Sequence, residues 1–112
     1  MGDCIFCKIV KGEIPCNKVY ENDKVLAFYD INPQAPTHVL IIPKDHIPTF
    51  SDLKDISPLM AMMEAVREIA RLTSVEERGF RLVINCKEEG GQVVMHLHMH
   101  LLGGKKLGER IA

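Results

Sequence analysis

Apolar residues change their spacing several times along this 112-residue chain, and each change predicts an element. Ile5, Phe6, Ile9 and Val10 predict a short helix through Val10, capped by Asp3 and stopped by Gly12. Lys18–Tyr20 and Val25–Ile31 read as strands, joined by the turn residues Glu21, Asn22, Asp23 and Lys24. Pro33 and Pro36 break the segment after Ile31, and THVLIIP (37–43) predicts a short buried strand ended by Pro43. Ser57-Pro58 reads as a helix start, with Ser57 as cap and proline at the first helical position. Leu59, Met62, Met63, Val66, Ile69 and Ala70 mark one face of that helix, and Glu64, Arg67, Glu68 and Arg71 mark a wet stripe. Its first two turns after Pro58 carry no charge, so either the protein's own core or a partner subunit covers them. GFRLVIN (79–85) and VVMHLHMHLL (93–102) predict the last two strands, with the loop 86–92 between them. The order hairpin, strand, helix, strand, strand predicts an α+β fold: a mostly antiparallel five-stranded sheet, one long helix and a short N-terminal helix.

No repeat, linker or low-complexity segment interrupts the chain, so residues 1–112 read as one domain. That length buries roughly 65% of the unfolded surface, enough for a real core. Fourteen basic residues against fifteen acidic give a net charge of −1. This balance argues against nucleic acid or an anionic membrane as a partner, since both favour a basic surface. No apolar run approaches the ~20 residues of a membrane span, and no basic stretch precedes the apolar start as in a signal peptide. Cys4, Cys7, Cys16 and Cys86 then read as thiols or metal ligands of a cytoplasmic protein, not as a disulfide framework.

The chemistry concentrates in MHLHMH (95–100). On a strand, His96, His98 and His100 would share one face at about 6.6 Å per step, while Leu97, Met99 and Leu101 point to the core. A solvent-facing strand edge is the plainest reading, and an internal, alternating run does not look like an expression tag. A His-x-His zinc hydrolase site is a second reading, because two such imidazoles can share one tetrahedral metal. Nucleophilic catalysis by one imidazole, with its neighbours steering protons, is a third. Spacing alone does not separate the last two.

His96-Leu-His-Met-His-Leu-Leu102 resembles the His-φ-His-φ-His-φ-φ signature (φ apolar) of the histidine-triad, or HIT, nucleotide hydrolases and transferases. The likeness extends through CIFCKIVKGEIP, FYDINPQAPTHVLIIPKDHI and GGQVVMHLHMHLLGG, and so covers nearly the whole chain. It looks closest to the Hint branch, the histidine-triad nucleotide-binding proteins with purine nucleoside phosphoramidase activity. The resemblance implies a purine nucleotide substrate and a homodimer. It also implies that His98 attacks the α-phosphorus of an adenosine 5′-phosphoramidate or related AMP ester, giving an adenylyl-histidine that water hydrolyses. His100 would manage charge and protons, His38 would complete the constellation by hydrogen bonding, and His96 is the first member of the triad. Asp30 matches the family's ribose ligand. Phe6, Ile9, Phe28, Ile31 and Leu40 would line the base slot, and Asn85, Gly91, Gln92 and the backbone at Val93 would hold the phosphate. No metal is needed for that chemistry if donors offset the phosphate charge. The rival readings are a nucleotide-binding regulatory module with little turnover and a zinc-dependent hydrolase.

Two features depart from the family pattern. Val93 stands where close relatives often carry serine, and the chain lacks the Trp-Pro-Pro tail of some relatives, which bears on substrate choice. Cys4-Ile-Phe-Cys7 puts two sulfurs on one side of a helical turn. As half of a structural zinc site this pair needs two more ligands, and several bacterial HIT proteins supply them from positions matching His46 and His96. Free buried thiols are the alternative, and a thioredoxin-like redox role fits poorly because no strand precedes the pair.

Overall fold

The computed structural model describes residues 3–111. Five strands form one fully antiparallel sheet: β1 (Lys18–Glu21), β2 (Val25–Tyr29), β3 (Thr37–Pro43), β4 (Phe80–Ile84) and β5 (Met99–Gly103). Their spatial order is β1-β2-β3-β5-β4, so the last strand in the chain lies between the third and the fourth. A short helix, α1 (Ile5–Val10), precedes the sheet, and α2 (Ser57–Leu72) runs between β3 and β4. The β1–β2 turn is tight because the Asn22 side-chain oxygen accepts from the backbone N–H of both Lys24 and Val25, each at 2.9 Å.

Period-two alternation gives the sheet two different faces. On one, Val25, Ala27, Val39, Ile41, Met99 and Leu101 pack under Met62, Ala65, Val66, Ile69 and Ala70 of α2. Burying each large side chain here stabilises the fold by roughly 1.5–3 kcal/mol. On the other face Leu26, Phe28, Leu40 and Ile42 form a smaller cluster with Phe6 of α1. β2 and β3 are therefore covered on both sides at their centres, which explains the unbroken apolar runs that mark them.

Several local expectations need correction. Cys4, not Asp3, caps α1: its sulfur accepts from the Cys7 backbone N–H at 3.3 Å. Ser57 is the first residue of α2 and not its cap, and the Asp55 carboxylate takes the Ser57 N–H instead. Met63 does not join the buried face of α2; it is 47% exposed, beside Met60 at 53%. The strand expected over residues 25–31 ends at Tyr29.

The largest correction concerns residues 93–102. Only Met99 onward forms ladder pairs, with Ile41 on one side and Ile84 on the other. β4 ends at Ile84, opposite Met99, and although β3 runs on to Pro43 its last two residues make no ladder pair with the residues before Met99. The chain bends at residues 94–96, and Leu97 donates its N–H to the carbonyl of Ile47 in a loop at 2.6 Å. Leu97 nonetheless still joins the α2-side core, and the histidines still take the opposite side. They do not stand on one straight, open row.

Candidate functional site

A cleft of about 460 Å³ opens on the face away from α2. Phe6 and Ile9 form its α1 wall, and Phe28 and Leu40 form its sheet floor. Asp30, His38 and His100 line it side by side, and Ile31, Asn85, Gly91, Val93 and His98 complete the lining. Most residues expected to contact a nucleotide thus meet in one place. Ile31 and Val93 are each 89% exposed, so they edge the cleft and do not fill a slot.

Gln92 does not join the lining. Its side chain is buried, with its oxygen accepting from Lys87 N–H at 2.8 Å. Its nitrogen donates to the carbonyls of Pro48 and Val94 at 2.7 and 2.9 Å. The side chain is spent on bracing the loop. Gly91, by contrast, has a backbone φ of +82° and open space where a Cβ would lie, so the loop bares its backbone to the cleft.

Hydrogen-bond partners fix the ring tautomers. His98 donates from Nδ1 to the carbonyl of His96 at 2.7 Å, leaving the Nε2 lone pair free. The Gln34 backbone N–H donates to His38 Nδ1 at 3.0 Å, so the proton of neutral His38 lies on Nε2. His38 Nε2 then donates to His100 Nδ1 at 2.9 Å. His100 in turn keeps its own proton on Nε2, its remaining donor. Burial, reinforced by His98 and His38, lowers the His100 pKa to about 4, against a smaller opposing pull from Asp30. Burial also lowers His38, again opposed by the Asp30 carboxylate 3.5 Å away. Burial therefore favours the neutral form of His38 and His100. His98 is buried, not open: its ring meets Phe6 edge-on at 5.2 Å.

His96 faces elsewhere. Its ring is fully buried, outside the cleft, and donates from Nε2 to the carbonyl of Pro43 at 2.9 Å. That leaves Nδ1 to point at Cys4 Sγ, 3.3 Å away, and Cys7 Sγ, 3.6 Å away. His46 Nδ1 lies 3.2 Å from Cys7 Sγ. The four donor atoms all fall within 4.8 Å of one another. Zinc–sulfur and zinc–nitrogen bonds of about 2.3 and 2.0 Å in a tetrahedron separate such donors by roughly 3.3–3.8 Å. The cluster fits, and the Pro43 carbonyl already orients one ligand ring. Asp30, His38 and His100 also converge within 4.8 Å. That trio fits a cation poorly, because Gln34 occupies the His38 lone pair and puts a proton on the nitrogen a metal would need.

Cys16, Asn17 and Gln34 also line the cleft, and no pattern in the residue order marks them. Cys16 follows a proline in a segment without periodicity, so it carries no local signal. The Gln34 contribution comes from its backbone, which side-chain identity does not report.

The chain matches the HIT domain family over residues 11–107. It is 47% identical over 112 positions to a purine nucleoside phosphoramidase of Escherichia coli K12, covering 98% of this chain and 94% of that protein. It superposes with a TM-score of 0.95 on a histidine triad protein from Clostridium difficile, at 46% identity over 98% of this chain and 97% of that one. A HIT family hydrolase from Legionella pneumophila Philadelphia 1 gives a TM-score of 0.90 at 49% identity, over 96% and 97% of the two chains. With three hydrogen-bonded imidazoles, His38, His98 and His100, at one cleft and these relatives across its length, the chain belongs to the HIT family.

Proposed function

We propose that the protein hydrolyses purine nucleoside 5′-phosphoramidates and related AMP esters through a covalent adenylyl-histidine on His98. The hydrogen bond from His98 Nδ1 to the His96 carbonyl carries this reading, because it holds Nε2 unprotonated beside the cleft. Nε2 attacks the α-phosphorus, and the bond from phosphorus to the leaving nitrogen breaks. The negative charge of the bound phosphate favours protonation of His100 at Nδ1, which parts that nitrogen from the His38 Nε2–H, and the imidazolium passes its Nε2 proton to the departing amine. Water then attacks the phosphorus, His100 takes a proton from it, and the bond to His98 breaks to release AMP. His38, aligned by Gln34, keeps His100 facing the reaction.

The remaining contacts are set by the shape of the cleft. Phe6, Ile9, Phe28 and Leu40 grip the base, with Ile31 at the rim, and the free oxygen of Asp30 receives the ribose hydroxyls. Asn85 and the backbone around Gly91 and Val93 hold the phosphate, in a loop that Gln92 stiffens. Cys4, Cys7, His46 and His96 hold one structural zinc, which ties α1 to the catalytic segment without taking part in the reaction. Such thiols suit a reducing, cytoplasmic setting. Ile56, Met60 and Met63 leave an apolar strip along α2 that a second copy of the chain covers, making a homodimer.

Rapid quenching with adenosine 5′-phosphoramidate tests the assignment. AMP is expected on His98 through an acid-labile, base-stable N–P bond, and His98→Ala should lose both the adduct and nearly all turnover. An adduct that persists in His98→Ala refutes the nucleophile. Binding of AMP without turnover by the unaltered protein would instead favour a regulatory nucleotide-binding module.

A further inference from the structure

The Cys4–Cys7–His46–His96 cluster reaches into the cleft from two directions. Phe6 lies between the two cysteines on α1, and its ring meets both His96 and His98 edge-on, at 5.8 and 5.2 Å. His96 places one ring nitrogen against the sulfurs, and its backbone carbonyl holds the His98 proton. Whatever changes the two sulfurs therefore acts on a wall of the cleft and on the residue that orients His98.

We propose that Cys4 and Cys7 form a reversible oxidation site: hydrogen peroxide joins them as a disulfide, expels the metal and loosens the α1 wall of the nucleotide cleft. This rests on the assignment of zinc to the same four residues. The geometry favours the bond, because Cys4 caps α1 and Cys7 is its third residue. A helical spacing of three residues puts the α-carbons about 5 Å apart, inside the range of roughly 4.4–6.8 Å that disulfides adopt. Exposure assigns the roles. Cys4 is partly exposed and Cys7 is buried, so peroxide reaches Cys4 first and Cys7 resolves.

The Cys4 thiolate attacks a peroxide oxygen; the O–O bond breaks, hydroxide leaves and Cys4 becomes a sulfenic acid. The Cys7 thiolate then attacks the Cys4 sulfur, the S–O bond breaks and a second hydroxide leaves. Two solvent protons turn both hydroxides into water. Two electrons have passed from the sulfurs to peroxide, and zinc leaves as the dication because half its ligands are gone. Phe6 still packs on Leu26, Phe28, Leu40 and Ile42, so α1 slackens without detaching.

Reduced, zinc-loaded, full-length protein treated with hydrogen peroxide provides the test. Expected are release of one zinc per chain to a chromogenic chelator and a two-hydrogen mass loss mapped to Cys4 and Cys7. The AMP dissociation constant should rise about tenfold by calorimetry, and dithiol reductant with added zinc should restore it. Circular dichroism should stay native throughout, which separates loosening from unfolding. Oxidation confined to Cys16 or Cys86 with zinc retained overturns the proposal, as does a Cys4–Cys7 disulfide that leaves AMP affinity unchanged. Reduced protein that takes up no zinc overturns the zinc assignment and the proposal with it; zinc that stays bound under peroxide overturns the proposal alone.

Discussion

The two faces of the sheet are built from the same strands and obey different rules. Beneath α2, Val39, Ile41, Met99 and Leu101 are fully or almost fully buried among other apolar side chains, and their contacts are interchangeable in kind. On the opposite face their neighbours His38, Leu40 and His100 are also largely buried, but each imidazole nitrogen that the tautomer chain uses has one defined partner. One face is filled by volume, and the other is ordered by protons. A substitution should therefore be read mainly as lost stability on the first face and as lost chemistry on the second.

His100→Ala tests this most severely. Turnover should fall by about 10²–10⁴-fold, the range typical of lost acid–base help, while the thermal midpoint moves far less than for a core truncation. A stability loss as large as that of a core leucine would erase the distinction between the faces. Leu101→Ala, one residue along and pointing the other way, should do the reverse. Deleting its buried side chain should cost about 2–5 kcal/mol of unfolding free energy, measured by denaturant titration, with kcat nearly unchanged in the protein that remains folded.

Acid should distinguish the faces without mutation. Burial depresses His38, His96 and His100 in the folded protein, His100 to about 4. The unfolded chain then binds more protons below the ordinary histidine pKa of about 6.5. Their contribution is complete above that pH and declines as pH falls from about 6.5 toward 4, so stability should drop across that window. Leu101→Ala should shift the whole curve down without changing its slope. The smallest effect is expected on the far side of α2. Met60→Glu or Met63→Glu should change unfolding free energy of the separated chain by no more than about 0.5 kcal/mol, yet favour monomers in sedimentation. An unaltered protein that sediments as a monomer at micromolar concentration would remove the reason for that apolar strip.

Much of this contrast is visible in the residue order. THVLIIP gives β3 its observed limits, because Pro36 and Pro43 bar extension at either end. The alternation from His96 to Leu101 assigns each side chain to its face even where no ladder forms. Alternation does not report whether a partner strand pairs, and both ladders stop at Met99, leaving residues 93–98 outside the sheet. Asp3 is the conventional cap by residue type, but sulfur at Cys4 reaches the Cys7 N–H instead. The Gln92 side chain turns inward because Pro48, distant in sequence, offers it a carbonyl. Residue types mark the candidate groups well; the atoms facing them come from segments that only folding brings near.

The strand order has a consequence for how the protein is made. β5 lies between β3 and β4, so those two cannot take their final places until the last strand is synthesised and inserted. His38 and His100 meet across 62 positions of sequence, and closing so long a loop is a late, slow event in chains dominated by distant contacts. A nascent chain can form the β1–β2 hairpin and α2 early, but its proton chain does not yet exist. During refolding, helical signal should therefore appear before nucleotide binding, and binding should arrive together with protection of the β5 amides from hydrogen exchange.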